Sequence, residues 1–324
     1  MTKMSHAEAL VTAIIDSMAQ DERVYLFGRP LGLGPQRMLM SRLTDRFDDR
    51  VFDPPTCEAG NAAVGVGAAM AGLRPFVDLS TGSFSFLAFS QIINEAAISN
   101  YMSAGKLPAP VTFHCLEGVR GGGAPQHSQN IHGFIWNTAG LEILAPSNPG
   151  DMYGLVRSAL ASNNPTFIMN HAKLMALEGD VADDRKPIPI GKADIKRRGK
   201  DVTIVAISLM VHDAMAAAET LAGEGVDVEV LDPRTLAPLD EDSILASVAR
   251  TGRLVVVDET NMQGSVASGI AGMVAERGFH SLKAPVQRVA RPDTPVPFSA
   301  PMEAFLLPTA AKIADAVRRT LPKP

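Results

Sequence analysis

Three residues could do chemistry here: Glu58, Phe84 and His127. Glu58 closes the run Pro54-Pro55-Thr56-Cys57-Glu58, between a strand-like Arg50-Val51-Phe52-Asp53 and a small-residue segment, Ala62 to Gly72. A glycine inside a helix costs about 1 kcal/mol relative to alanine. Such a segment suits a helix whose backbone must be approached closely, not a surface helix. The acid then stands at a strand end, at the mouth of that helix. It can be a first-turn charge favoured by the helix dipole, worth a few tenths of a kcal/mol, or an acid facing a ligand. Position alone favours the first. Phe84 lies just past the strand Pro75 to Leu79, where ligands meet open α/β sheets. His127 closes the loop Gly121-Gly122-Gly123-Ala124-Pro125-Gln126-His127, whose glycines permit unusual dihedrals. A histidine there is a candidate proton shuttle, although a lone loop histidine is more often simply solvated.

Other chemistry is weaker. Gly28-Arg29-Pro30-Leu31-Gly32-Leu33-Gly34 has the wrong spacing and too many prolines for a dinucleotide loop. Ser128 beside His127 makes no nucleophile–base pair, because adjacency in sequence does not set the geometry. The remaining histidines, including His114, lack metal-ligand spacing. The two cysteines, Cys57 and Cys115, suggest neither a disulfide framework nor zinc. A reducing, cytoplasmic compartment is expected.

The elements that position these residues alternate between strand and helix. Ser5 and Glu8 read as a capping box for a helix over 5–20, with no targeting peptide expected before it. Strands are expected at 24–28, 50–53, 75–79, 110–115, 141–146 and 166–169. Helices fall between them, including one over 86–102. A polar stretch with Pro187 and Pro189 marks a linker at about 181–192. Beyond it, strands at 202–206, 226–231 and 254–258 alternate with helices at 212–221, 240–249 and 265–276, and a helical segment over 300–321 closes the chain. The 324 residues thus read as two doubly wound α/β domains, 1–180 and 193–324. The net charge of -5 gives no reason to expect nucleic acid or an anionic membrane as partner, and no apolar run reaches a membrane span.

Several motifs share one order. Pro55 and Glu58 precede Gly67 to Pro75; Gln91-Ile92-Ile93-Asn94-Glu95-Ala96-Ala97 follows, then Gln126-His127-Ser128-Gln129, then Asp232-Pro233-Arg234-Thr235-Leu236-Ala237-Pro238-Leu239-Asp240. In this the chain resembles, over nearly its whole length, the beta subunit of the thiamine-diphosphate-dependent decarboxylating component of 2-oxo-acid dehydrogenases, of the pyruvate, branched-chain and acetoin type. The resemblance implies a transketolase-like pyrimidine-binding domain followed by a transketolase C-terminal-like domain. It implies that Glu58 hydrogen-bonds the cofactor aminopyrimidine and activates it, that Phe84 packs on that ring, and that His127 lies near the reacting centre. It further implies decarboxylation of a 2-oxo acid and transfer of the acyl group to a lipoyl acceptor. Some members hold potassium through carbonyls at the positions of Val111, Ala159, Leu160, Ser162 and Asn164. Gly-Asp-Gly, which holds magnesium and the diphosphate, does not occur in this sequence. The family's solution is a heterotetramer in which an alpha subunit supplies that half beside a second beta chain, with a lipoyl acyltransferase core downstream.

Four positions depart from the family pattern: Arg29 for an acid, Ser90 for Asp, Ile98 for Lys and His114 for Arg. These leave open the C-terminal half of a split transketolase-like enzyme, and a non-catalytic assembly subunit.

Overall fold

The structure, a computed structural model, describes residues 1–28 and 35–322, with side chains left out at 35–37. Arg29, Gly32 and Gly34 therefore lie outside the described residues. The chain divides into two compact units, residues 1–118 with 135–190, and residues 119–134 with 191–324. The segment carrying His127 thus groups with the second unit, whereas the sequence reading assigned everything to about residue 180 to the first.

The first unit opens with β1 (Thr2–Ser5) and α1 (His6–Gln20). The capping box forms as read: Ser5 accepts from the Glu8 N–H, and Glu8 accepts from Ser5. There follow β2 (Val24–Phe27), α2 (Ser41–Phe47), β3 (Val51–Phe52), α3 (Glu58–Met70), β4 (Arg74–Thr81), α4 (Ala97–Met102) and β5 (Thr112–Glu117). The second unit's segment then contributes α5 (Ala124–His127) and enters α6 (His132–Ile135), after which the first unit resumes with β6 (Glu142–Leu144), α7 (Pro149–Ala161), β7 (Thr166–His171) and β8 (Glu178–Val181). Its strands lie in the order β6-β7-β5-β4-β2-β3, all parallel. Helices α1, α2 and α7 pack together over buried Leu10, Ile14, Leu43, Met152 and Leu155.

Two readings change in this unit. The helix expected over 86–102 is three pieces: a 3-10 segment Gly82–Ala88, a π-helical segment Ser90–Ala96, and α4. The polar stretch before the linker includes β8, which pairs antiparallel with β1. Short polar strands of this kind carry no apolar alternation to announce them.

The second unit contains β9 (Asp194–Arg197), β10 (Val202–Ala206), α8 (Met210–Ala222), β11 (Val228–Asp232), β12 (Thr235–Ala237), α9 (Glu241–Thr251), β13 (Leu254–Asn261), α10 (Val266–Arg277), β14 (Gln287–Arg291), α11 (Ala300–Leu306) and α12 (Ala310–Thr320). Its sheet runs β14-β13-β10-β11-β9, with β9 antiparallel and the others parallel. The closing helix is two helices, because Pro308 interrupts the pattern between them. Among the described residues no helix is long and apolar enough to cross a membrane.

Gly65 of α3 acts as the composition suggested. A Cβ at Gly65 would lie 2.3 Å from Val77 Cγ2, so only glycine lets α3 rest on β4. Gly65→Ala should overpack this contact at a cost of about 1–3 kcal/mol. The expected outcome is a Tm lowered by several degrees, measured by thermal unfolding; an unchanged Tm would mean that α3 moves away without strain.

Candidate active site

The chain passes from β2 outward to β3 and then returns across β2 to β4. The connections after β2 and β4 leave toward opposite faces, since α2 packs with α1 while the segments after β4 pack with α3. Such a reversal opens a crevice beyond the carboxyl ends of the strands. A cavity of about 430 Å³ lies there, lined by Gly28, Asp53, Pro54, Glu58, Asp78 and Ser80 among others. Gly28 has φ +94°, and a Cβ on it would come within 3.0 Å of the Asp78 carbonyl oxygen. β4 is bent at this end: its pairing with β5 shifts register between Asp78 and Thr81, and Ser80 has φ +59°. A bulge of this type re-aims side chains.

Glu58 is the first residue of α3 and is 7% exposed. Its N-cap, Cys57, makes no side-chain capping bond, so Glu58 supplies the acidic charge at this helix start. Among the described residues its carboxylate has no hydrogen-bonding or ionic partner. Buried polar groups are normally paired, so an unpaired acid lining a cavity is set to accept hydrogen bonds from something that enters. Asp78, a second acid of the same cavity, is held differently. His114 Nδ1 lies 2.8 Å from Asp78 Oδ1, and Asn170 Nδ2 lies 3.2 Å from His114 Nε2. With Asn170 donating, Nε2 accepts and the proton on Nδ1 faces Asp78. Several acids together disfavour a phosphate and suit a neutral heterocycle bearing N–H donors.

Phe84 sits half-buried in the 3-10 segment after β4 and does not line this cavity. His127 is exposed at the end of α5, in the second unit. Glu58 and Phe84 thus belong to one compact unit and His127 to the other. His127 N–H donates to the Gly123 carbonyl at 3.3 Å. The segment carrying it is tied to its own unit by His132 Nε2, 2.9 Å from Asp258 Oδ1. Burial pushes the Asp258 carboxyl up, but His132 and the hydrogen bonds from Thr260 outweigh it and hold it below the usual value.

The carbonyls named for potassium are engaged. Arg74 Nη1 donates to Leu160 O at 3.3 Å and Ser162 O at 2.5 Å; Val111 O accepts from Thr166 N–H, and Ala159 O from Ser162 N–H. The Asn164 side chain instead donates to Glu142. Among the described residues no cluster of His, Cys, Asp or Glu could hold a metal ion.

Residues 2–176 match the transketolase pyrimidine binding domain family, and residues 191–313 the transketolase C-terminal domain family. The chain is 38% identical to the acetoin:2,6-dichlorophenolindophenol oxidoreductase subunit beta of Bacillus subtilis, over 99% of this chain and 98% of that one. It is 40% identical to the mitochondrial pyruvate dehydrogenase E1 component subunit beta-1 of Arabidopsis thaliana, over 98% and 89%. It belongs to the beta subunits of the thiamine-diphosphate-dependent 2-oxo-acid and acetoin dehydrogenases. A 2-oxoisovalerate dehydrogenase subunit beta of B. subtilis, 35% identical over 98% of each chain, is a third relative. A solved split gene transketolase, described as an inactive beta4 tetramer, shares the fold with a TM-score of 0.82 at 22% identity over 98% of each chain.

Sequence reading singled out Glu58 and the dehydrogenase family, but passed over Asp78, Asn170, Asp258 and Glu303, and gave His114 no place in a site. Their signal was present: Asp78 interrupts an apolar run in a strand buried on both faces, where a charge needs a partner. A stability consequence follows for Asp258. Its folded pKa is depressed, so its contribution is present above the unfolded value of about 3.9 and is lost as pH falls through the folded pKa. His132→Ala removes the partner of a fully buried carboxylate, which costs about 3 kcal/mol. We expect a lower Tm at neutral pH and an acid-unfolding midpoint moved to higher pH; an unchanged midpoint would show that the backbone donors alone hold the charge.

Proposed function

We propose that this chain is the beta subunit of a heterotetrameric 2-oxo-acid dehydrogenase that decarboxylates its substrate and passes the acyl group to a lipoyl acceptor. The observation that carries this is Glu58, a buried carboxylate that among the described residues has no partner, at the first residue of α3, lining the crevice where the strand order reverses. The cavity fits the aminopyrimidine end of thiamine diphosphate: carboxylates accept from ring N–H groups, while prolines and Leu79 offer apolar contact. When bound, the cofactor supplies an electron sink for cleavage beside a carbonyl.

With the cofactor bound, Glu58 would hold a proton at a ring nitrogen of the aminopyrimidine. Asp78, steadied by His114, is a second acceptor in the same cavity. The family resemblance gives Phe84 the face of the pyrimidine, but Phe84 lies in the 3-10 segment after β4 and not in the lining of this cavity. His127, exposed on its loop, can give or take a proton at the substrate oxygen or guide the acyl group outward. A cavity of about 510 Å³ lined in part by Pro125 and Gln129, which flank His127, leaves room for an incoming acceptor. Among the described residues, nothing in the acid-lined crevice suits a diphosphate. Magnesium and the diphosphate are therefore assigned to an alpha subunit, beside a second beta chain and with a lipoyl acyltransferase core as acceptor. Potassium at the 159–164 turn would share the Leu160 and Ser162 carbonyls with Arg74. The compartment is read as cytoplasmic.

Acetoin is the competing substrate, because relatives named for it align over 98% or more of both chains. Ketol transfer by a split transketolase-like enzyme, or assembly without turnover, would appear as cofactor binding or tetramer formation without decarboxylation. The chain co-expressed with an alpha subunit should bind thiamine diphosphate and reduce an artificial acceptor with a 2-oxo acid. Glu58→Gln should lower kcat by about 10²–10⁴-fold while the tetramer still forms. Equal turnover by wild type and Glu58→Gln would overturn the assignment of Glu58. Turnover of acetoin with none of any 2-oxo acid would move the substrate.

A further inference from the structure

We propose that Glu303 is a positioning residue for His127, acting through a carboxylate clamp on the loop that bears it. This rests on the reading of His127 as a residue of the reaction.

The segment 119–134 is gripped at three points by acids of its own unit. Val119 N–H donates to Glu259 Oε1 at 2.7 Å. Gly122 N–H donates to both oxygens of Glu303, at 3.0 and 3.2 Å. His132 meets Asp258. Asp258 and Glu259 are neighbours on β13, so they fasten the two ends of the segment to one rigid strand. Glu303, on α11, holds Gly122, a point between those ends and on the N-terminal side of His127. It is 4% exposed. Hydrogen bonds to a charged acceptor are about twice as strong as neutral ones, and a carboxylate taken out of water needs them.

The clamp reaches His127 by a short route. Glu303 fixes the N–H of Gly122, and the carbonyl of the next residue, Gly123, receives the His127 N–H. The intervening backbone is glycine-rich and has no preferred conformation of its own, so whatever holds it sets its course. Gly121 and Gly122 have φ +86° and +72°, and Ala124 follows at +52°. A Cβ on Gly123 would stand 2.5 Å from Ser128 Oγ and 3.4 Å from His127 Cβ, so the turn is closed on itself. Moving Gly122 therefore moves the one-turn helix that ends in His127. The three glycines allow the turn; the acids choose its position.

The test uses the chain assembled with its alpha subunit. Glu303→Met keeps the side-chain length and removes both acceptors; Glu303→Gln keeps one. Hydrogen exchange at the Gly122 amide should quicken in Glu303→Met and less so in Glu303→Gln. Glu303→Met should lower kcat by about 10–100-fold, as expected for displacing a reacting group by about an ångström. KM for the 2-oxo acid and the affinity for thiamine diphosphate should stay within about threefold. The double variant with His127→Ala should be no slower than His127→Ala alone, because two changes acting through one group are not additive. Multiplicative losses, or unchanged exchange at Gly122, would overturn the clamp. Full turnover by His127→Ala would overturn the reading of His127 and the proposal with it. If Glu303→Met does not fold, Glu303→Gln decides: unchanged exchange and kcat refute the proposal, and a partial change in both sustains it.

Discussion

A carboxylate removed from water must find a partner, and this constraint organises both units. Asp78 finds His114, Asp258 finds His132, and Glu259 and Glu303 find backbone N–H groups. Each pairing ties one segment to another: β4 to β5 in the first unit, and the segment 119–134 to β13 and α11 in the second. Breaking one leaves an uncompensated buried charge, which costs more than the intact pair contributes. These acids therefore fix geometry more than they add stability. Glu58 stands apart because the described residues leave it unpaired while burying it, and the helix dipole alone is a weak reason to place a charge there.

The position of that acid follows from topology. A parallel sheet whose strand order reverses between β2 and β4 must open a crevice at that point, and the residues leaving both strands face it. Gly28 permits the two strand ends to approach, the bend at Ser80 turns the end of β4, and Gly65 lets α3 settle on Val77. Three unrelated glycine or bulge features thus serve one purpose. They bring the first turn of α3, and Glu58 with it, down onto the crevice.

Much of this was legible in the sequence, and the reasons differ by residue. The alternation of strands and helices is set by apolar periodicity, so the sheets were foreseeable. The pattern around Glu58 alone read as a first-turn charge, and the family order of motifs was what marked it as facing a ligand. The short strands β1, β8 and β9 were not, because they pair at edges and carry no alternating apolar face. The break of 86–102 into three helical forms was not legible either: its residues suit any helix, and contacts with α3 decide which hydrogen bonds form. The pairings of Asp78 with His114 and of Asp258 with His132 join positions 36 and 126 residues apart, and no local pattern records such distances. Reading His114 as a departure from the family's arginine located the change without showing that it now serves Asp78.

The placement of His127 raises the last point. It lies in the sequence between strands of the first unit, yet its segment packs with the second. A glycine-rich loop has no preferred conformation of its own, so its shape is imposed by whatever holds it. Here the holders are Glu259 and Asp258 on a central strand and Glu303 on a short helix near the chain end. The second unit therefore does more than provide bulk for assembly. It owns the segment on which one of the two candidate residues stands, and a substitution far along the chain, in α11, can reach that residue through a single carboxylate. In a family that acts on several different substrates, such a clamp gives a route for tuning the position of His127 without altering the crevice that holds Glu58.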